Sequence, residues 1–191
     1  MITARPVGPG DLEALFALFD AAASPCFCRY WHFEGDKNAW LARCAFEPET
    51  SRAELARAVG DGHDEGRGVV AEDGPALVGW AKIAPSRALS KLYGERYYRG
   101  LVQASRDGVW ALGCLLVHPA HRRRQVSRHL VMAAVEVARA EGAQVVEAFP
   151  RRVACEVADE ELWRGTATVL EGCGFVAVAG DEAYPVMRRT L

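Results

Sequence analysis

The residues best placed to do chemistry lie in one run, Leu115-Leu116-Val117-His118-Pro119-Ala120-His121-Arg122-Arg123-Arg124-Gln125-Val126-Ser127-Arg128-His129-Leu130. It reads as a buried strand, a proline turn, a cationic loop and the first turn of a long helix. A helix that starts near Val126–Arg128 aims its first, unpaired N–H groups at whatever lies in front of it. Arginines just ahead add positive charge where a phosphate would sit. The expected ligand is therefore a phosphate-bearing cofactor. The net charge of −2 argues against a global field for nucleic acid. Contact of Arg122–Arg128 with DNA or RNA is the weaker reading, and it predicts strongly salt-dependent binding.

A second cluster, Cys26, Cys28 and His32, invites a zinc reading. The Cys-x-Cys-x3-His spacing lacks the paired Cys-x2-4-Cys of zinc sites, so no metal is expected and buried, inert thiols are the preferred reading. The six cysteines (Cys26, Cys28, Cys44, Cys114, Cys155, Cys173) accompany no secretory leader and read as reduced thiols of a cytoplasmic protein. No apolar run reaches the ~18 residues of a membrane span.

The 191 residues suit one domain, with 85–107 as an insert. Strands are expected at Ile2–Pro6, in a hairpin of Val69–Glu72 and Ala76–Ile83 around Asp73-Gly74-Pro75, at Val109–Val117, Gln144–Phe149, Phe175–Val178 and Tyr184–Arg188. Helices are expected after a capping Asp11, near Lys37–Phe46, near Arg52–Val59, over Ser127–Glu141 and over Leu162–Gly172. Arg151–Glu161 reads as a charged loop. The alternation gives an α+β fold, a mixed sheet flanked by helices.

The strand–loop–helix core resembles the acyl-CoA-binding core of the GNAT superfamily of N-acyltransferases. Their pattern is a hydrophobic strand ending in Val-x-Pro, then Arg/Gln-x-x-Gly-x-Gly/Ala and a helix. Arg122 matches the first position and Ser127 the last, whereas Gln125 stands where the family usually has Gly. Gly142-Ala143-Gln144-Val145-Val146-Glu147-Ala148 and Gly172-Cys173-Gly174-Phe175 resemble two further landmarks. The resemblance implies a twisted, mostly antiparallel mixed sheet with splayed central strands.

It also implies transfer of an acetyl or short acyl group from acetyl-CoA to the amine of a small molecule or peptide. The diphosphate would lie on Arg122, Arg123, Arg124, Gln125, Val126, Ser127 and Arg128. The pantetheine arm would pair with Leu115, Leu116 and Val117, and the N–H of Val117 or a neighbour would polarise the thioester. Glu147 and His118 are the candidate bases; their plainer readings are a solvated strand-end charge and a surface turn residue. The family tyrosine that protonates the departing thiolate falls at Leu170, so Cys173 or a tyrosine of the insert would have to replace it, or the thiolate leaves unassisted. Cys28, Tyr30, Trp31 and Tyr97 are expected to frame the acceptor pocket, with core cover as the plainer role for the aromatics. No nucleic acid or membrane partner is expected, and a homodimer stays open. The alternative function is a catalytically degenerate acyl-CoA-binding or structural domain.

Overall fold

The computed structural model describes all residues except 103–105 and 153–156, and leaves the side chains of 159 and 160 undescribed. Cys155, parts of the 85–107 insert and parts of the Arg151–Glu161 loop lie outside the described residues.

Seven strands form one sheet in the order β1-β2-β3-β4-β5-β7-β6. They are β1 (Ile2–Pro6), β2 (Gly68–Asp73), β3 (Ala76–Pro85), β4 (Val109–Val117), β5 (Val145–Ala148), β6 (Val176–Gly180) and β7 (Pro185–Thr190). The helices are α1 (Leu12–Ala21), α2 (Lys37–Phe46), α3 (Pro48–Gly60), α4 (Ser90–Tyr93), α5 (Val126–Ala140) and α6 (Ala167–Glu171). Among the described strands of the sheet, only β4 and β5 pair in parallel. They are the ends of a strand–helix–strand unit through α5, because a parallel return needs a crossover.

The side chains explain the layers. Alternate residues of a strand face opposite sides of its sheet. On one face Val69, Ala71, Val78, Ala81, Ile83 and Leu115 pack against the apolar stripe Val126, Leu130, Ala134, Val135 and Ala138 of α5, and against Leu170 of α6. On the other, Val70, Trp80 and Cys114 meet Leu15, Leu18 and Phe19 of α1 and Leu55 and Val59 of α3. A third cluster joins Trp31, Leu89, Leu92, Tyr93 and Tyr98 to Ala111 of β4 and Phe149. The segment after β3 thus covers the far end of the central strands with short helical turns.

Two local expectations change. Asp11 does not cap α1 with its side chain; its carboxylate accepts from the Gly8 N–H and pairs with Arg5. A charge-assisted pair out-competes a neutral cap. The helix expected over Leu162–Gly172 shortens to α6, because Gly165 takes φ +79° and Thr166 caps a fresh start at Ala167.

Candidate functional site

β4 leads into the cationic loop. Its last hydrogen bond to β3 is His118 N–H to Val78 O, 2.9 Å. A turn over Pro119–His121 follows, closed by the Ala120 N–H donating to His118 Nδ1 at 3.2 Å. Arg123 and Gln125 then both take left-handed backbone, φ +62° and +63°. Gln125 is therefore at positive φ where glycine is the easier residue, at a cost of roughly 1–2 kcal/mol. Such strain persists where surroundings over-determine it, as at ligand sites.

α5 begins directly after this bend. The Gln125 carbonyl takes the N–H of Arg128 at 3.0 Å and of His129 at 3.2 Å. No side-chain hydrogen bond caps this end, and among the described residues no acceptor meets the Val126 and Ser127 amides. Successive amides after a left-handed residue form a concave anion receptor. Gly79 of β3 lets α5 close on the sheet, since a Cβ there would stand 2.8 Å from Val126 Cγ1 and 2.9 Å from Leu130 Cδ1.

The arginines divide by role. Arg124 pairs with Asp73 at 3.0 Å, on the β2–β3 turn. Arg123 and Arg128 are exposed beside the uncapped amides, and Arg122 is half-buried at the loop's start.

Upstream, β4 and β5 part. Their pairing runs from Val109↔Val145 to Leu112↔Ala148, and β4 continues along β3 to Val117 without β5. At the fork Gly113 is an extra residue on β4, since Lys82 pairs with Cys114 and Ile83 with Leu112. A bulge of this kind bends a strand and increases its twist. The open edge beyond it corresponds to the splayed central strands that the resemblance implies, but the chain occupies part of it. The Leu115 N–H donates to Trp163 O at 2.7 Å, and the Trp31 indole N–H donates to Gly113 O at 2.9 Å. The two indoles pack 5.2 Å apart. By strand alternation the N–H of Val117 faces the same side as that of Leu115, and the side chain of Leu116 packs toward the α1/α3 core.

The acceptor candidates separate. Tyr30 lies against Trp31, Trp40 and Trp163, donates to Glu95 at 3.0 Å and carries Lys91 Nζ over its ring at 4.4 Å. Burial pushes its phenol up to about 12. Tyr30 and Trp31 thus stand at the fork. Cys28 is buried beneath them in the α1/α3 core. Tyr97 stacks on Tyr184 at 4.0 Å, toward the β6–β7 hairpin.

Neither candidate base is a free proton acceptor at the fork. Glu147 is fully buried. Its Oε1 accepts from Arg106 and Arg188 at 2.6 Å, and Oε2 accepts from the Tyr93 hydroxyl at 2.9 Å. It is not a solvated strand-end charge but the centre of an ion cluster that ties β5 to β7. His118 lies five residues beyond Gly113, about 16 Å along an extended strand, and so belongs to the cradle end. Leu170 is fully buried in the α5/α6 core, and the Cys173 thiol is pushed up by burial. Two tyrosines of the insert lie on this side: Tyr93, bound to Glu147, and Tyr98, whose hydroxyl receives Arg164 at 3.1 Å and donates to Phe149 O at 3.4 Å; burial raises Tyr98 to about 12.

Sequence reasoning did not single out Lys82, Arg164 or the backbone of Trp163. A glycine two residues after a tryptophan, inside an expected helix, was the signal for the break that puts the Trp163 carbonyl on β4. A lysine in the apolar run of β3 was the signal for Lys82. Among the described residues no group of three His, Cys, Asp or Glu is placed to hold a metal, and no helix is long and apolar enough to cross a membrane.

A family profile described as Acetyltransferase (GNAT) family matches residues 22–161. No curated protein matches. Among solved structures, the PaiA N-acetyltransferase of Thermoplasma acidophilum, in complex with coenzyme A, aligns with TM-score 0.58 at 10% identity over 100% of this chain and 99% of its own. The ribosomal-protein-S18-alanine N-acetyltransferase of Escherichia coli gives 0.53 at 13%, over 100% and 94%. The ribosomal-protein-alanine N-acetyltransferase of Brucella melitensis gives 0.54 at 19%, over 98% and 99%. At these identities the likeness is one of fold.

Proposed function

The chain belongs to the acetyltransferase (GNAT) family, and from that premise we propose that it transfers an acetyl or short acyl group from acetyl-CoA to the amine of a small molecule or peptide. One observation carries the reading. The uncapped Val126 and Ser127 amides follow a left-handed Gln125 and are flanked by exposed Arg123 and Arg128.

In this reading those amides take the diphosphate, with charge from Arg123, Arg128 and Arg122. Arg124 contributes from its place beside Asp73. The pantetheine arm runs along the β4 edge from Val117 past Leu115, whose N–H must first leave Trp163 O. Once freed, the N–H groups of Val117 and Leu115 are the fixed donors available to a thioester carbonyl, and a donor aimed at developing negative charge speeds acyl transfer. Tyr30 and Trp31 border the side from which an amine would approach, so aromatic faces select its body.

The geometry supports Glu147 as an organiser of the fork, because both of its oxygens are engaged. His118 suits the cradle. The amine's proton then leaves to solvent, and the thiolate leaves unassisted, because the Tyr98 hydroxyl is buried and already donates to Phe149 O. No metal enters this scheme.

A second reading, an acyl-CoA-binding domain without turnover, is favoured by a buried Leu170 at the family's tyrosine position and by the occupied Leu115 N–H. Acetyl-CoA binding by calorimetry, run beside turnover with a panel of amines and peptides, tests both. Binding with turnover supports transfer, and binding alone supports the second reading. Absence of binding removes both.

A further inference from the structure

The side of the fork proposed for the acceptor already holds a cation. Lys91 of α4 places its ammonium over the ring of Tyr30, 4.4 Å from the centroid, and 5.3 Å from that of Phe33. The Phe33 carbonyl accepts one of its N–H groups at 2.9 Å. The Glu95 carboxylate, which accepts the Tyr30 hydroxyl at 3.0 Å, favours the charged lysine from the rim. Ring faces, one carbonyl and one nearby carboxylate suit a primary ammonium, because the negative face of an aromatic ring attracts a cation.

The seat does not depend on its occupant. Tyr30 is braced by Trp31, Trp40 and Trp163, with ring centroids 4.9, 5.5 and 6.2 Å away. Phe33 packs on the buried Trp40 at 5.2 Å. Gly35 lets the chain fold closely over Phe33, since a Cβ there would stand 2.6 Å from its Cε1. The occupant is held more loosely. Arg43, which also lies over Phe33, is fixed by Glu54 and Ser51. Lys91 makes no ion pair among the described residues, and it is half-exposed on a helix of four residues. Burial draws its pKa below the ordinary lysine value. Its ammonium therefore gives up hydration to stay, and recovers it by swinging out.

The chain has three lysines, Lys37, Lys82 and Lys91, against twenty arginines. A lysine at this place, in a chain that elsewhere favours arginine, marks a seat for a compact ammonium over a planar guanidinium.

We propose that Tyr30 and Phe33 form an ammonium-binding site filled by Lys91 in the resting protein, and that the acceptor is an amine with a second ammonium, which displaces Lys91 and docks there. The ligand class is an alkylammonium, carried by a small diamine or by a lysine side chain of a peptide. The assignment rests on the acyl-transfer reading for the other, reacting amine. Trp31, the next ring from Tyr30, holds Gly113 O on β4, so the two nitrogens lie on either side of these rings. The docked ammonium stays protonated and forms no bond. The seat thus sets KM and specificity and leaves the chemical step alone.

One arm of the test needs no acetyl-CoA. n-Butylammonium, a free copy of the lysine side chain, is titrated into the whole protein and into Lys91→Ala. n-Butanol serves as the neutral match, and sodium chloride keeps the ionic strength constant. Indole N–H signals of the 15N-labelled protein report on Trp31 and Trp40. Lys91→Ala is expected to bind butylammonium at least about fivefold more tightly than the unaltered protein does, and at least about fivefold more tightly than it binds butanol. Adding Tyr30→Leu should remove that preference for charge. If Lys91→Ala fails to fold, excess butylammonium, and not butanol, should shift the same signals in the unaltered protein. Equal binding of alcohol and ammonium, or binding indifferent to the loss of Tyr30, would overturn the seat.

The second arm measures turnover with acetyl-CoA. Straight-chain diamines of increasing length are set against monoamines of equal length, and a peptide with a lysine near its free N-terminus against its norleucine match. The second ammonium should lower KM at least about fivefold with little change in kcat, and Lys91→Ala should lower it further. A preference found only among the diamines assigns a small acceptor, and one found only among the peptides a peptide acceptor. Turnover indifferent to the second charge overturns the acceptor assignment. No turnover with any amine counts instead against acyl transfer, and the butylammonium titration then decides the seat alone.

Discussion

At the start of α5 the Val126 and Ser127 amides stand uncapped behind two left-handed residues. On β4 the Leu115 N–H and Gly113 carbonyl are already satisfied by Trp163 and Trp31. Both places offer backbone groups to one proposed ligand, yet one is open and the other closed. The physical reason is solvent. A helix N-terminus at the surface can use water while it waits, so leaving it uncapped costs little. A strand edge half-buried among aromatic rings cannot, and an unsatisfied group there costs about 1–3 kcal/mol. The chain therefore fills its own edge. Along β4 an incoming arm exchanges one hydrogen bond for another. Net affinity should come chiefly from the cradle, and it should weaken with salt.

The largest expected effect lies at the fork that separates the two regions. Glu147→Ala leaves Arg106 and Arg188 without their buried anion and should cost about 3–5 kcal/mol in denaturant unfolding. Glu147→Gln sharpens the point. If Glu147 only organises the fork, turnover by the folded fraction keeps its pH profile. Loss of a limb in that profile, with stability retained, would make Glu147 the base.

His32 probes the closed side. Burial drives its imidazole down to about 2, and its Nε2 meets no partner among the described residues. The unfolded chain takes up a proton below about 6.5 that the folded chain refuses. Stability is thus intact above that pH and falls by about 1.4 kcal/mol for each unit below it. Unfolding at pH 7 and pH 5 should show this loss, and His32→Gln should flatten it.

At the open side, Arg128→Glu replaces attraction to a diphosphate by repulsion. Coenzyme A affinity should drop by about 1–2 kcal/mol, or roughly 5- to 30-fold, in calorimetry at low salt. A smaller effect of opposite sign is expected for Trp163→Ala, which loosens the aromatic hold on the β4 edge. Stopped-flow association of coenzyme A should quicken a few-fold, and an unchanged rate would show that the edge opens without hindrance. Smallest is Gln125→Gly, which removes the left-handed penalty but adds chain entropy. Stability should rise by at most about 1 kcal/mol, with coenzyme A affinity equal or better. Weaker binding would assign the glutamine side chain a contact of its own.

The contrast also marks what the sequence could show. Periodicity located β1 and α2 to the residue and α5 to within one, because apolar stripes and breakers act locally. The order of strand, turn, cationic loop and helix start that the proposed cradle uses was legible for the same reason, since these pieces are consecutive. Two features hid from that reading. Glu147 looked like a strand-end charge because its partners, Arg106, Arg188 and Tyr93, come from distant segments. The Trp163 carbonyl on Leu115 is a backbone contact over a long separation, and the type of a side chain does not announce it. The split among the arginines, with Arg124 drawn to Asp73, likewise needs the β2–β3 turn in space.

The central claim is that the amides opening α5 hold the diphosphate. Amide chemical shifts of the 15N-labelled protein, followed as coenzyme A is added, test it most directly. The account predicts large shifts at Val126 and Ser127 that saturate together, with Leu115 shifting in the same titration as it leaves Trp163. Saturable binding that leaves Val126 and Ser127 unmoved would contradict it.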